Sequence, residues 1–305
     1  LYAEDPERGF LPSVGTLHAL SFGGGEGVRI DTGVEPGAEV SAFYDPMIAK
    51  VIARGANRDE ALDRLGKALS GTVVAGPRTN VAFLTALTKA EGFRQGHFDT
   101  GFIDRNLEAL GAVPRGPEFE AVRQSALALL ASEQKRLTGG SLSPWTEPDS
   151  FQLGGVRQAT LAMLVDGDRT DVALHHQNGW AAVYDGAESR ANRSSDVVIA
   201  PAGRGVFAVT GGRQIFAELF DPLAVDLEHL DGGGVIKAPM HGKVIAVFVE
   251  AGQPIAKGQR VAVIEAMKME HTLTAALDGT VAAVSVSVGD QVGEGATVAV
   301  LEAPL

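Results

Sequence analysis

Two stretches near the end of the chain are copies of one another. Gly242 to Ala266 reads GKVIAVFVEAGQPIAKGQRVAVIEA, and Gly279 to Ala303 reads GTVAAVSVSVGDQVGEGATVAVLEA. A shift of 37 positions (279 − 242) aligns them without a gap, and twelve of the 25 aligned residues are identical. A duplication at this spacing constrains the fold strongly. Each copy must take the same local structure, and the two must bury apolar surface together. Val247 and Val249, or Val261 and Val263, alternate with period two, the mark of strands with one buried face. Gly252 and Gly258, with Gly289 and Gly295 in the second copy, punctuate turns where a side chain would clash at positive φ. Two β units this short predict a small flattened β-barrel with pseudo-twofold symmetry.

Glu265-Ala266-Met267-Lys268-Met269-Glu270-His271 connects the copies. A connection between strands runs over the surface, so Lys268 is expected to project into water from a stiff scaffold. Strict alternation would put Met267 and Met269 on one face, as adaptable apolar contacts. A lysine amine at such a place is also a good acylation site, because its flexible stem gives reach and amide formation removes its charge. Ala-Met-Lys-Met in the hairpin of a duplicated barrel resembles the biotinyl domain of biotin-dependent carboxylases. The resemblance implies that Lys268 receives biotin from a biotin protein ligase, which reads Ala266, Met267 and Met269. Lipoyl domains share this fold but place the lysine between Asp and Ala, unlike here. The gapless repeat leaves no room for the protruding thumb of some bacterial acetyl-CoA carboxylase carriers. The carrier therefore looks like the thumbless ones of propionyl- and methylcrotonyl-CoA carboxylases. The plain alternative is a hairpin lysine between two core methionines. His271 lacks a partner base or metal-ligand spacing and reads as a surface or turn histidine.

The first third mixes short strands and helices. Asn57 can cap a helix from Arg58 to about Ser70, with Asp59 and Glu60 at its positive end and Gly71 to stop it. Thr79 or Asn80 can cap a second helix ending near Gly92. The Gly23-Gly24-Gly25-Glu26-Gly27 loop lacks the Lys-Ser/Thr of a phosphate cradle and reads as a surface loop. Tyr2-Ala-Glu-Asp-Pro6, Phe10-Leu-Pro-Ser13, Gly27-Val-Arg-Ile-Asp31, Tyr44-Asp-Pro-Met-Ile-Ala-Lys50, Asn57-Arg-Asp-Glu-Ala61, Thr79-Asn80 and Asp99-Thr100 together resemble the C-terminal subdomain of biotin carboxylase, an ATP-grasp enzyme. That resemblance places Tyr44 and Asp45 in a segment bordering the active site, and Arg29 at a dimer contact. The family's nucleotide, metal and catalytic residues lie upstream of the matching segment. The chain opens on Leu1, not Met, and reads as a piece of a longer one. Marginal order is expected from Leu1 to about Ser13, where an upstream domain would pack.

Arg115 to Pro117 reads as a linker. Glu118 to Leu137 is a helix by pattern, with Phe119, Val122, Ala126, Leu129 and Leu130 at helical spacing. Turn signals then recur at Asp166-Gly167, Asn178-Gly179, Asp185-Gly186 and Gly211-Gly212, between strand-like pieces such as Gln158 to Val165 and Val206 to Val209. The physical solution is strands curled around the helix to bury its apolar stripe. This pattern resembles the BT domain, which joins α and β subunits in propionyl- and methylcrotonyl-CoA carboxylases. Ser143-Pro-Trp145, and the route from Phe220-Asp-Pro222 to Ala238-Pro-Met240, lean toward the methylcrotonyl type. Gly232 to Gly234 reads as a hinge.

The expected fold is therefore multidomain, α+β and β: residues 1–113 a truncated biotin carboxylase C-terminal subdomain, 114–231 a BT domain, and 235–305 a biotinyl carrier domain. Resemblance implies the alpha subunit of a biotin-dependent acyl-CoA carboxylase. Lys268 would carry the carboxyl group, on biotin, to a carboxyltransferase beta subunit that holds the acyl-CoA. ATP, Mg and bicarbonate would serve an upstream domain, so the chain alone is not expected to be catalytically competent. Methylcrotonyl-CoA is the first expected substrate, then geranyl-CoA and propionyl-CoA. A pyruvate carboxylase would need a carboxyltransferase barrel between the two recognisable ends, and the middle third is too short for one. A biotinyl-like docking module, never modified, is the rival from another class. The net charge of −12 argues against a nucleic-acid partner. With no Cys there are no thiolate nucleophiles or thiolate metal sites, and the seven His form no ligand-spaced cluster. No apolar run is long enough to span a membrane, and the cytoplasm fits.

Overall fold

The computed structural model describes residues 1–137, 157–176, 179–190, 196–222, 234–267 and 269–302. They form two compact units. One contains residues 1–10, 16–38 and 48–221, and the other residues 11–15, 39–47 and 222–305. The first unit therefore runs across the expected boundary between residues 113 and 114.

After a short opening strand at Glu4–Asp5, the first unit includes strands β1 (Ala19–Ser21), β2 (Val28–Thr32) and β3 (Ala49–Ala53), then helix α1 (Arg58–Ser70), strand β4 (Val73–Ala75), helix α2 (Val81–Lys89) and a single turn α3 (Glu91–Arg94). β2 pairs antiparallel with β3, and β1 with β4. Helix α1 starts as its sequence dictates: the Asn57 side chain accepts the Glu60 amide at 2.9 Å, and Glu60 reaches back to the Ala56 amide at 2.6 Å, a reciprocal cap one residue displaced from the usual box. Asn80 sits at the N-cap of α2 but makes no cap bond. Its Oδ1 instead accepts the Tyr2 amide at 2.9 Å, and its own amide donates to Tyr2 O. The Ile48 amide donates to Leu1 O, and Ala3 is fully buried. The opening residues are thus pinned rather than loosely packed, against expectation, because they meet side chains and backbone of their own unit.

The same unit continues with helix α4 (Phe119–Leu137) and strands β5 (Arg157–Val165), β6 (Asp168–His176), β7 (Trp180–Tyr184), β8 (Ala187–Arg190), β9 (Val198–Ala202), β10 (Gly205–Thr210) and β11 (Arg213–Leu219). The strands form one seven-stranded antiparallel sheet in the order β8-β7-β6-β5-β11-β10-β9. Asp166-Gly167 and Asp185-Gly186 turn the β5–β6 and β7–β8 hairpins with positive φ at both residues, the twist that matches paired strands. The expected turn at Asn178 and the Ser143-Pro-Trp145 segment lie outside the described residues. Ala121, Val122, Ala126, Leu127 and Leu129 of α4 share a buried core with Met163, Val165, Val172, Leu174, Val206 and Ile215 of the sheet. Arg123 anchors the helix to the sheet edge, donating from Nε to Ser189 Oγ at 2.8 Å and from a terminal nitrogen to Tyr184 O at 3.1 Å.

The second unit is built from the repeat. Its strands are β12 (Val235–Lys237), β13 (Gly242–Val247), β14 (Pro254–Ile255), β15 (Arg260–Ala266), β16 (Met269–Thr274), β17 (Gly279–Val284), β18 (Gln291–Val292) and β19 (Thr297–Glu302). They form two four-stranded sheets, β12-β19-β17-β14 and β16-β15-β13-β18, around one core that holds Val244, Val261, Ile264, Val281, Val298 and Leu301. A shift of 37 residues turns one sheet order into the other. The irregularity of register repeats too, at Val244/Ala246 in the first copy and Val281/Ala283 in the second. In each sheet a central pair from one copy is flanked by strands from the other. Neither copy can close a core without its partner, and open edges are kept short.

Candidate functional site

The hairpin that links the two copies is the place where the second unit breaks its own rules. Ala266 and Met269 are register partners, so the connection between β15 and β16 is two residues long. Two-residue hairpins favour Asn-Gly or Asp-Gly, since positive φ is needed. Asp166-Gly167 and Asp185-Gly186 obey this elsewhere in the chain. Here the connection is Met267-Lys268, and Met267 has φ +49°. That conformation costs an unbranched L-residue on the order of 1–2 kcal/mol. Strain of this kind collects at functional turns. Alternation does not carry through Met267, because the chain leaves the strand there.

Rigid parts hold the tip. Ala266 and Met267 are both buried, at 3% and 5% exposure, so neither offers its side chain freely to a partner. The Met267 amide donates to Ala42 O at 3.1 Å. Residues 39–47 belong to the same compact unit, and with them the expected Tyr44 and Asp45. Both are exposed, Tyr44 at 78%. Behind the tip, Glu265 faces Glu270 on one side and Lys243 on the other. Like charges directly opposite are unfavourable, while the Lys243 register position carries the opposite sign. Gly242 lets β13 approach this edge: a Cβ there would lie 2.6 Å from Glu265 O. Lys268 itself and the side chain of Met269 lie outside the described residues.

Other expected residues are not gathered here. His271, in β16, is the register partner of Ile264 in β15. Arg29 is exposed and donates to Asp31 at 2.8 Å. Among the described residues no cluster of His, Asp and Glu could hold a metal, and no helix is long and apolar enough to cross a membrane. Two features escaped sequence reading. One is the positive φ of Met267, for which the residue type gives no signal. The other is Arg213, whose only local hint is the Gly211-Gly212 turn before it.

Parts of this chain are similar to known proteins. Residues 1–105 match the family model of the biotin carboxylase C-terminal domain, and residues 234–301 match that of biotin-requiring enzymes. The mitochondrial methylcrotonoyl-CoA carboxylase subunit alpha of Dictyostelium discoideum is 30% identical over 90% of this chain and 44% of its own length. The mitochondrial propionyl-CoA carboxylase alpha chain of Homo sapiens is 30% identical over 90% of this chain and 42% of its own length. The chain thus spans less than half the length of these relatives. Among solved structures, the biotin carboxylase domain of a thermophilic 2-oxoglutarate carboxylase bound to bicarbonate is 33% identical, covering 36% of this chain and 25% of its own, with a TM-score of 0.35. One polypeptide thus matches a biotin carboxylase C-terminal domain at one end and a biotin-requiring domain at the other, and it is similar to methylcrotonoyl-CoA and propionyl-CoA carboxylase alpha subunits over most of its own length.

Proposed function

We propose that the chain is the carrier-bearing part of a biotin-dependent acyl-CoA carboxylase and that Lys268 is its biotinylated residue. The observation that carries this reading is the two-residue connection between the two copies of one β unit, entered through Met267 at positive φ. Buried Ala266 and Met267 set the turn, so a biotin protein ligase would meet the shape of the tip, with Met269 beside it. Biotin, when attached, supplies a nitrogen that accepts a carboxyl group. Lys268 does no acid–base work. Its stem is a tether that keeps this nitrogen at high local concentration near two separate sites.

The whole protein, in this reading, uses ATP, Mg and bicarbonate in an upstream domain, with Tyr44 and Asp45 on a bordering segment. A carboxyltransferase beta subunit passes the carboxyl group to an acyl-CoA. Helix α4 and its antiparallel sheet serve as the BT domain that contacts that subunit. Methylcrotonyl-CoA is the first substrate proposed, with propionyl-CoA and geranyl-CoA next. The acyl pocket belongs to the beta subunit, so the choice rests on similarity to both kinds of alpha subunit.

The test uses radiolabelled bicarbonate. The biotinylated chain is mixed with an ATP-dependent biotin carboxylase, ATP and Mg. Label is expected to reach the chain and to be absent from the Lys268→Ala variant. A folded, biotinylated chain that takes no label would overturn the carrier role, and a chain that is never biotinylated would favour a docking module.

A further inference from the structure

The segment from Arg115 to Pro117 separates the family-matched first domain from the helix and sheet that follow, and by composition it is a linker. The structure closes it. Arg213, at the start of β11, donates from Nε to Glu7 Oε1 at 2.7 Å and from a terminal nitrogen to Glu7 Oε2 at 3.1 Å. Its other terminal nitrogen donates to Glu118 Oε1 at 2.8 Å. The carbonyls of Arg115 and Gly116 accept from the same guanidinium at 3.4 and 3.2 Å. Glu7 in turn accepts the Arg115 backbone amide at 3.2 Å. One side chain therefore binds the opening segment, the linker and the residue before helix α4. The planar fork of arginine suits this, and a lysine could not reproduce it.

The rest of the same hairpin reinforces the lock. Gly212 lies so close to α2 that a Cβ would sit 2.5 Å from Val81 Cγ1 and 2.9 Å from the Ala82 amide nitrogen. Gln214 exchanges two hydrogen bonds with the backbone of Gly76, at 3.0 and 2.6 Å. Arg78 donates to Gln214 O at 2.6 Å and pairs with Asp166 at 2.7 Å. Beside these polar contacts, Ala75 packs with Ala200 and Val209, and His18 stacks on Phe207 at 5.5 Å.

We infer that the Gly211–Gln214 hairpin is a latch that makes the biotin carboxylase C-terminal domain and the helix–sheet domain one rigid body, leaving Arg115–Pro117 no freedom as a hinge. This deepens the proposed function, on which its functional meaning rests. A subunit that docks on the helix–sheet domain would then fix the position of the biotin carboxylase half directly, and the linker would contribute nothing to carrier travel.

The chain has no Cys, so nitroxide labels at Ser70→Cys and Ala187→Cys are unique. Both positions are exposed. Pulsed electron spin resonance on the whole chain is expected to give one narrow distance distribution. Arg213→Ala and Arg213→Lys are expected to widen it, because each loses the fork. Should Arg213→Ala not fold, Glu7→Gln replaces it, with widening at raised salt expected. A broad distribution in the unaltered background would overturn the latch, as would a narrow one unchanged in every folded variant. The distances do not depend on biotin, so a failure of the latch is distinct from a failure of the carrier reading.

Discussion

Met267 shows how competing energies decide a single position. Met267→Gly would relieve positive-φ strain of about 1–2 kcal/mol. It would also forfeit about 1.5–3 kcal/mol of side-chain burial and add about 0.5–1 kcal/mol of backbone entropy to lose on folding. Burial and entropy outweigh the strain, so the variant should be less stable, by about 1 kcal/mol in urea unfolding. A more stable Met267→Gly would mean that the buried side chain contributes little. The position was legible in sequence only through its surroundings. A duplicated β pattern and Ala-Met-Lys-Met pointed to the tip, yet nothing in a methionine announces positive φ. Asn57 and Asn80 make the same point about local rules. The first caps α1 because its partner Glu60 is three residues away. The second gives its oxygen to Tyr2, 78 residues distant, and a local rule does not see that.

At the scale of elements, the repeat makes a paired prediction. A Cβ on Gly242 would lie 2.6 Å from Glu265 O, and one on Gly279, its counterpart, 2.3 Å from Glu302 O. Gly242→Ala and Gly279→Ala should each destabilise the second unit by about 1–3 kcal/mol. Gly293→Ala meets nothing closer than the His241 ring at 3.8 Å and should change stability by no more than about 0.5 kcal/mol. Chemical denaturation of the three variants compares them directly; equal effects would contradict the close approach. The repeat was fully readable because its period, glycines and valines are local. The seven-strand order was not. The turns at Asp166-Gly167 and Asp185-Gly186 predict hairpins, but the join of β5 to β11 depends on contacts between residues some 50 apart, such as Val165 and Ala217.

The whole first unit is held partly by charge, and charge responds to pH. Burial opposes ionisation of Glu7, but hydrogen bonds and positive charge from Arg213 and Arg115 outweigh it and hold its carboxyl below the usual range. A depressed carboxylate contributes stability that is fully present above its unfolded pKa, about 4.3, and lost as pH falls through the folded value. Glu7→Gln should therefore cost about 1–2 kcal/mol near neutral pH, with the difference from the unaltered chain shrinking below about pH 4. Thermal unfolding across pH checks this, and a difference that persists unchanged in acid would point away from ionisation of Glu7. None of this was legible beforehand, since Glu7 and Arg213 lie 206 residues apart. The carrier role stands or falls on an intact mass. The chain and its Lys268→Arg variant are each incubated with a biotin protein ligase, ATP and biotin. One biotin-sized increment on the chain, absent from the variant, is the predicted result; no increment on a folded chain, or an increment that survives Lys268→Arg, would contradict it.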